Sequence, residues 1–394
     1  MPNNQPSSNP EHRLTEFVLL CLRSHWDPTA LPAARELAGT LDGPALLNRA
    51  CAEGIAPLLY SRLRGEGVLP PAVEAGLHQA YYASARRNVS LLHQLELVLG
   101  QFAAAGVSIM LLKGAALALA VYDSPAARPM GDLDLLVRPE DAERALDLLE
   151  GAGYAPVRAE TQPGAAIAFE NEVMLRRPGP VETAIEVHWG LIDSPYYQHH
   201  LPMDWFWRTT IPLTVDRTAT QMLGPEAQLL HLCAHMVLHH GNMGQPRLLW
   251  LHDVAEVVTH YRERIDWDLL LNQARACDLV LPVQRVLPRV AADWQVPIPA
   301  AALNRLQALH PSREEARVFA QLTADSRPVA RRFWNDLTAM PTWADRLRFA
   351  WANLFPSPAY MRQHYQVPHP LLLPLYYPYR WYLGLRSALS PRAR

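Results

Sequence analysis

With 394 residues, 49% of them hydrophobic and 19% charged, the chain has material for two or three domains and the composition of a globular protein, not a disordered one. Its net charge of −2 provides no global attraction to nucleic acid or to an anionic membrane, although a local basic cleft is compatible with that balance. Four scattered cysteines without CxxC spacing indicate neither a disulfide framework nor a zinc site, which makes a reduced, cytoplasmic setting the expectation.

In chain order, residues 1–11 are polar, lack an apolar signal core and read as a disordered lead-in. Residues 12–105 read as helix throughout. Leu14, Phe17, Val18 and Cys21 fall at helical spacing, and a long helix from Pro71 to Ala105 carries Leu77, Tyr81, Ala85, Val89, Leu92, Leu95 and Leu99. Arg86 and Arg87 lie within it and are expected in solvent, and Gly106 ends it.

Residues 106–200 change character to an α/β core. Strand VSIMLL, small-residue helix GAALALAVY, strand LDLLV and helix PEDAERALDLLEGAGY follow one another. The runs AIAFENEVMLRR and TAIEVHWGL, separated by PGPVE, predict a hairpin. From 201 to 355 the chain is expected to return to helix, with two helices in 301–353, and residues 356–394 form a tail rich in proline and aromatics. No apolar run is long enough to span a bilayer: the nearest, Leu371 to Leu385, is broken by Pro374, Pro378 and Arg380. Beside YYPYRWYLGL stand only one or two positive charges, so membrane anchoring is not expected.

The chemistry concentrates between Val107 and Gly153. Asp132 and Asp134 stand at i and i+2 of a strand and point the same way, an arrangement that calls for a cation, most simply Mg²⁺ (or Mn²⁺) shared with substrate phosphates. The predicted hairpin extends the same sheet and brings Glu186 as a third carboxylate, with His188 on the same face. The 36 basic residues include a single lysine, Lys113, immediately before Gly114 in this segment. A compact ammonium meets phosphate differently from a guanidinium, and this favours a functional role for it.

These residues resemble a family. LLKGAALALAVYDSPAARPMGDLDLLV, then TAIEVHW, then RLLWLHDVAEVV, are similar to the uncharacterised nucleotidyltransferase family of the DNA polymerase β-like nucleotidyltransferase superfamily, over roughly residues 15–300. The resemblance implies an α+β fold: a small mixed sheet flanked by helical segments at both ends. It also implies Asp132, Asp134 and Glu186 as catalytic metal ligands. Lys113 and Gly114 take the place of the superfamily's Gly-Ser or Gly-Gly turn, and with Arg128 and Gly131 they would bind the nucleotide. Ala115 stands where a phosphate-binding serine is often found. The implied reaction moves a nucleoside monophosphate from ATP or another NTP to an acceptor (protein, RNA end or small molecule) and releases pyrophosphate. The rivals are a non-catalytic nucleotide-binding scaffold and a metal-dependent glycosyltransferase using the Asp-x-Asp pair.

His231, His235 and His239 recur every four residues along one helix, but HExxH is absent and no zinc is expected. Instead His239 or His240, with Arg247 and Asp253, is a candidate lining of the cleft opposite the α/β module. Trp189 and the Asp204–Arg208 aromatic cluster read as packing.

Overall fold

Asn9 opens the first helix by accepting a hydrogen bond from the Glu11 N–H at 3.0 Å, so helix already begins inside the expected lead-in. The computed structural model describes residues 9–240, 246–324 and 329–389, and the rest of the lead-in, 1–8, lies outside the described residues. Five helices precede the sheet, as expected: α1 (Pro10–Arg23), α2 (Ala30–Ala38), α3 (Gly43–Ala52), α4 (Ala56–Leu63) and α5 (Pro71–Ala104).

Next come β1 (Met110–Leu111), α6 (Lys113–Ala120), β2 (Leu133–Leu136), α7 (Ala142–Gly151), β3 (Ala155–Pro156), α8 (Ala165–Phe169), β4 (Glu172–Arg177) and β5 (Thr183–His188). The expected first strand, VSIMLL, forms ladder pairs only at Met110 and Leu111, toward its C-terminal end. The AIAF part of the expected hairpin is helix, while its remaining residues pair antiparallel with β5 as anticipated.

The expected return to helix at 201 requires correction. After α9 (Pro195–His200) and α10 (Met203–Arg208), a second hairpin, β6 (Thr210–Val215) and β7 (Thr218–Leu223), adds to the same sheet, with β7 parallel to β1. Its alternation in TIPLTV and TATQML covers a half-exposed sheet edge and gives a weak apolar signal. Among the described residues the sheet is seven-stranded, in the order β3-β4-β5-β2-β1-β7-β6, and mixed. With helical segments at both ends, the fold is α+β.

The C-terminal helices are α11 (Pro225–Ala234), continued by a π-helical turn at His235–His239, then α12 (Leu248–His260), α13 (Trp267–Ala276), α14 (Val280–Trp294), α15 (Ala300–Ala308) and α16 (Arg313–Leu322). Four helices occupy the stretch expected to hold two, the others being α17 (Val329–Ala339) and α18 (Trp343–Leu354). The tail forms α19 (Pro358–Tyr365) and α20 (Leu373–Leu389). Every residue of α11 is buried, as an all-round apolar helix requires.

One core unites α1–α4 with α11–α14, so the two helical ends close on each other, and a second lies between the sheet, α5 and α7. Within the first, Trp294 donates to His252 Nδ1 at 3.0 Å. This places the imidazole proton on Nε2, which faces Glu256 at 3.0 Å, and Glu256 also pairs with Arg62 at 2.9 Å. The sheet's strand ends therefore meet a wall of C-terminal helix, where the candidate site lies.

Candidate active site

β2 and β5 run parallel in a register that places Asp134 opposite Glu186 and Leu136 opposite His188, while β4 places Glu172 opposite His188. Residues directly opposite share a face, so three strands aim Asp134, Glu186, His188 and Glu172 at one spot. Asp132 lies just before β2.

The turn between β1 and α6 supplies the counter-charge. Lys113 sits at φ 43°, a left-handed conformation uncommon for a residue with a side chain. From there its ammonium reaches Asp134 Oδ1 at 2.7 Å and Glu186 Oε2 at 3.7 Å. Burial works against the charge, but the carboxylates more than offset it and hold the lysine above its ordinary range.

His188 Nε2 lies 3.1 Å from Asp134 Oδ1 and 3.5 Å from Glu186 Oε2, and Nδ1 lies 3.0 Å from Glu172 Oε2. With both ring nitrogens against carboxylates, the ring is an imidazolium. Burial and Lys113 pull its pKa down, yet Glu172 and the bonds to Asp134 and Glu172 drive it well up. Against the opposing effect of burial, Glu172 is held at about 2, chiefly by His188. Burial likewise opposes ionisation of Asp134, but Lys113 and His188 hold it well below the usual carboxylate range.

Asp132 behaves oppositely: burial, then the charges of Asp134 and Glu186, push it up to about 6. Four acids thus crowd around two cationic side chains, and Asp132 is the one whose ionisation the others disfavour. Ligand atoms of Asp134, Glu186 and His188 lie within 4.8 Å of one another, a group able to hold a metal ion. Because His188 donates from both nitrogens, it acts in this arrangement as a counter-ion to the acids. The available ligand atoms are carboxylate oxygens, and that hard donor set, with the excess charge at Asp132, fits a divalent cation such as Mg²⁺.

Arg128 is placed differently from a phosphate clamp. Its Nε and Nη2 bond Asp253 at 3.1 and 2.7 Å, and Nη1 donates to the Pro129 carbonyl at 2.7 Å. Tyr122 donates to the same Asp253 at 2.7 Å. Asp253 therefore anchors the loop to α12 and is spent on Arg128 instead of lining a cleft. Gly114 suits this packing, since a Cβ there would stand 3.0 Å from Arg128 Nη1 and the guanidinium would have to give by a few tenths of an ångström. Arg87, expected in solvent, donates Nε to the Met130 carbonyl at 2.9 Å and Nη2 to the carbonyl of the exposed Gly131. Asn88 binds the carbonyls of Pro125 and Arg128 at 2.6 and 2.8 Å.

The histidine-rich helix faces the same acids. Burial, then Lys113 and His188, lower His231 to about 3, and burial with the neighbouring cations lowers His240 to about 4. His235 stacks on His239 with centroids 5.3 Å apart, and Arg247, exposed at the start of α12, lies 5.6 Å over Trp250. The π-helical turn re-aims this end of the helix, a distortion frequent at functional sites. Trp189 is buried and donates to the Glu170 carbonyl, and Phe206 and Trp207 are buried as packing residues.

Glu172 and Asn88 escaped the sequence reading. Counting back from the PGPVE turn pairs Glu172 with His188, so Glu172 was recoverable. Asn88 is one polar residue on a long amphipathic helix and carries no local signal.

The site thus consists of carboxylates on adjacent parallel strands of a mixed sheet, beside the Lys-Gly turn that opens α6. The match with known families is specific: residues 40–294 match the family described as "Uncharacterised nucleotidyltransferase", and the chain belongs to it. Among solved structures, a similar chain is an antigenic nucleotidyltransferase-like protein from Paracoccidioides brasiliensis, at 16% identity and TM-score 0.36, covering 55% of this chain and 96% of that one. No curated protein matches.

Proposed function

We propose that this protein is a metal-dependent nucleotidyltransferase that moves a nucleoside monophosphate from an NTP, ATP among the candidates, to an acceptor hydroxyl of a protein, an RNA end or a small molecule, with loss of pyrophosphate. The observation that carries the reading is Asp134 and Glu186 opposite each other on parallel strands, with Asp132 beside them pushed up to about 6 by burial and by those two acids.

Asp132, Asp134 and Glu186 would hold Mg²⁺ or Mn²⁺. When bound, the ion supplies neutralisation of triphosphate oxygens and acidification of the acceptor hydroxyl. Lys113 offers a point charge beside the acids for the phosphates and for departing pyrophosphate, and the first turn of α6 presents backbone N–H groups alongside it. His188 fixes the Asp134 carboxylate through Nε2 and is itself fixed by Glu172, which keeps the acids in place for positioning and electrostatic work. Arg128 acts by tying the loop of Gly131 and Asp132 to Asp253, and His239 and Arg247 border the acceptor side. Free cysteines and the reduced setting they imply accord with a cytoplasmic protein.

One observation favours a second reading, a non-catalytic nucleotide-binding scaffold: the Lys113 ammonium, 2.7 Å from Asp134, stands where a cation would otherwise bind. The two readings separate on incubating the protein with α-labelled ATP, CTP, GTP and UTP, Mg²⁺ or Mn²⁺ and fractionated cell extract. Label on an acceptor that disappears with Asp132→Ala/Asp134→Ala supports transfer. Label that survives the double substitution refutes it, and consumption of nucleotide sugars instead points to a glycosyltransferase.

A further inference from the structure

Exposed apolar side chains are concentrated at one end of the chain. Of the seventeen large hydrophobic residues that are exposed among those described, fourteen lie between Val329 and Leu385. In α18 they form a stripe at helical spacing: Trp343 is 76% exposed, Leu347 69% and Trp351 60%. The opposite side of α18 is already used, since Phe349 stacks on Phe333 and meets Phe169 edge-on. The stripe continues into α20 through Trp351, Phe355 and Trp381, whose rings contact in sequence at 4.5 and 5.4 Å, and the Trp381 indole donates to the Leu354 carbonyl at 2.7 Å.

Charge is sorted the same way. Residues 329–389 carry seven arginines against two aspartates and no glutamate, in a chain whose net charge is −2, so the remainder is acidic. Several of these arginines lie over aromatic faces, among them Arg346 over Trp343 at 5.0 Å and Arg386 over Tyr382 at 5.9 Å. Judged only from the charges beside YYPYRWYLGL, the tail lacked a basic partner surface. Folding brings α17, α18, α19 and α20 together, and with them all seven arginines.

We propose that the face formed by α18 and α20 docks on an anionic lipid bilayer, lying in the headgroup region without crossing it. Among the described residues no helix is long and apolar enough to span a membrane. Tryptophan, tyrosine and leucine flanked by arginine are the side chains that partition to this boundary, with their rings at headgroup level and their cations on lipid phosphates. A second copy of the chain is the weaker occupant, because a self-complementary contact would bring the same surplus of arginines against itself. The acidic remainder of the molecule is repelled by the same surface, which leaves this end as the one that docks.

The test is sedimentation of the full-length protein with vesicles of phosphatidylcholine containing ~30% phosphatidylserine, and with phosphatidylcholine alone. Binding to the anionic vesicles should be roughly tenfold or more stronger than to neutral ones and should fall steeply toward ~0.5 M salt. Leu347→Glu/Trp351→Glu, both exposed, should reduce it at least about tenfold with circular dichroism unchanged. Arg348→Glu/Arg386→Glu, both exposed and on α18 and α20, should abolish the preference for phosphatidylserine, and it serves as the independent variant if the first misfolds. No sedimentation of the parent, equal binding to both vesicles, or binding unaffected by a folded variant overturns the proposal. A dimer seen by light scattering that Leu347→Glu/Trp351→Glu dissolves, without vesicle binding, reassigns the face to a second copy, and retention only by an acidic protein reassigns it to that partner.

Discussion

Replacing Arg128 with methionine separates a residue that serves the fold from one that serves the ligand. Asp253 is 1% exposed and receives two charge-assisted hydrogen bonds from Arg128, at 3.1 and 2.7 Å, with the Tyr122 hydroxyl as a further donor. Arg128→Met strands that carboxylate in an apolar wall, and breaking a buried pair in this way costs about 3–5 kcal/mol. For a chain of this size, with an unfolding entropy of about 2.1 cal/mol/K per residue, the loss corresponds to a fall in Tm of about 4–6 °C. The double variant Arg128→Met/Asp253→Leu strands no charge and should recover more than half of the loss, a coupling that a double-mutant cycle reads directly. Urea unfolding followed by circular dichroism gives the stabilities, and titration with an NTP gives the affinity. A single variant within about 1 kcal/mol of the parent that nonetheless loses NTP binding would refute the anchoring role and return Arg128 to the phosphate cradle.

Lys113→Met should bind Mn²⁺ roughly tenfold more tightly in calorimetry, because the ammonium no longer shares Asp134, while nucleotide transfer falls. Unchanged metal affinity would mean that the ion and the ammonium do not compete. Gly224→Ala should destabilise the protein by about 1–3 kcal/mol, measured by thermal unfolding, since a Cβ would stand 2.5 Å from the Thr209 carbonyl oxygen where the second hairpin passes into α11. Glu315 is fully buried, accepts from the Leu281 N–H at 2.6 Å, and is pushed up to about 7 by burial. The folded state then keeps a proton that the unfolded chain releases from about pH 4.5, so this group's contribution declines as pH rises from there to about 7. Glu315→Gln keeps an acceptor and removes the titration. Its advantage over the parent should therefore grow to about 3 kcal/mol by pH 8, and a pH-independent difference in denaturation midpoint would contradict the assignment.

Where the chain pattern coincides with one face of one element, the sequence was readable. Asp134 and Glu186 each sit in a short apolar strand with alternation intact, and their meeting followed from the sheet order. The partner of Arg128 was not legible for a physical reason: a loop residue's direction depends on what lies across from it, and Asp253 is 125 positions later on a helix that packs only after both helical ends close. The same holds for Arg87, whose backbone acceptors belong to a distant loop. The second hairpin was missed because β6 and β7 finish the sheet at an edge, where half-exposed threonines replace the apolar run that marks β2.

The lone lysine is explained by geometry more than by charge. Its left-handed backbone costs roughly 1–2 kcal/mol relative to an ordinary conformation, a strain retained only where surrounding contacts outweigh it. They do so here: one ammonium faces Asp134 and Glu186 at 2.7 and 3.7 Å, beside an imidazolium held by the same acids. A planar guanidinium begun from that turn would have to place five donors in a space already bounded by His188 and the strand, and it would bind one carboxylate bidentately instead of balancing two. Arginine can supply every other cation of this chain, because at those positions only charge or a planar fork is needed. At the head of α6 the requirement is a point charge balanced between two carboxylates, and under the proposed function the same ammonium would exchange them for phosphate oxygens, a task that suits lysine better than arginine.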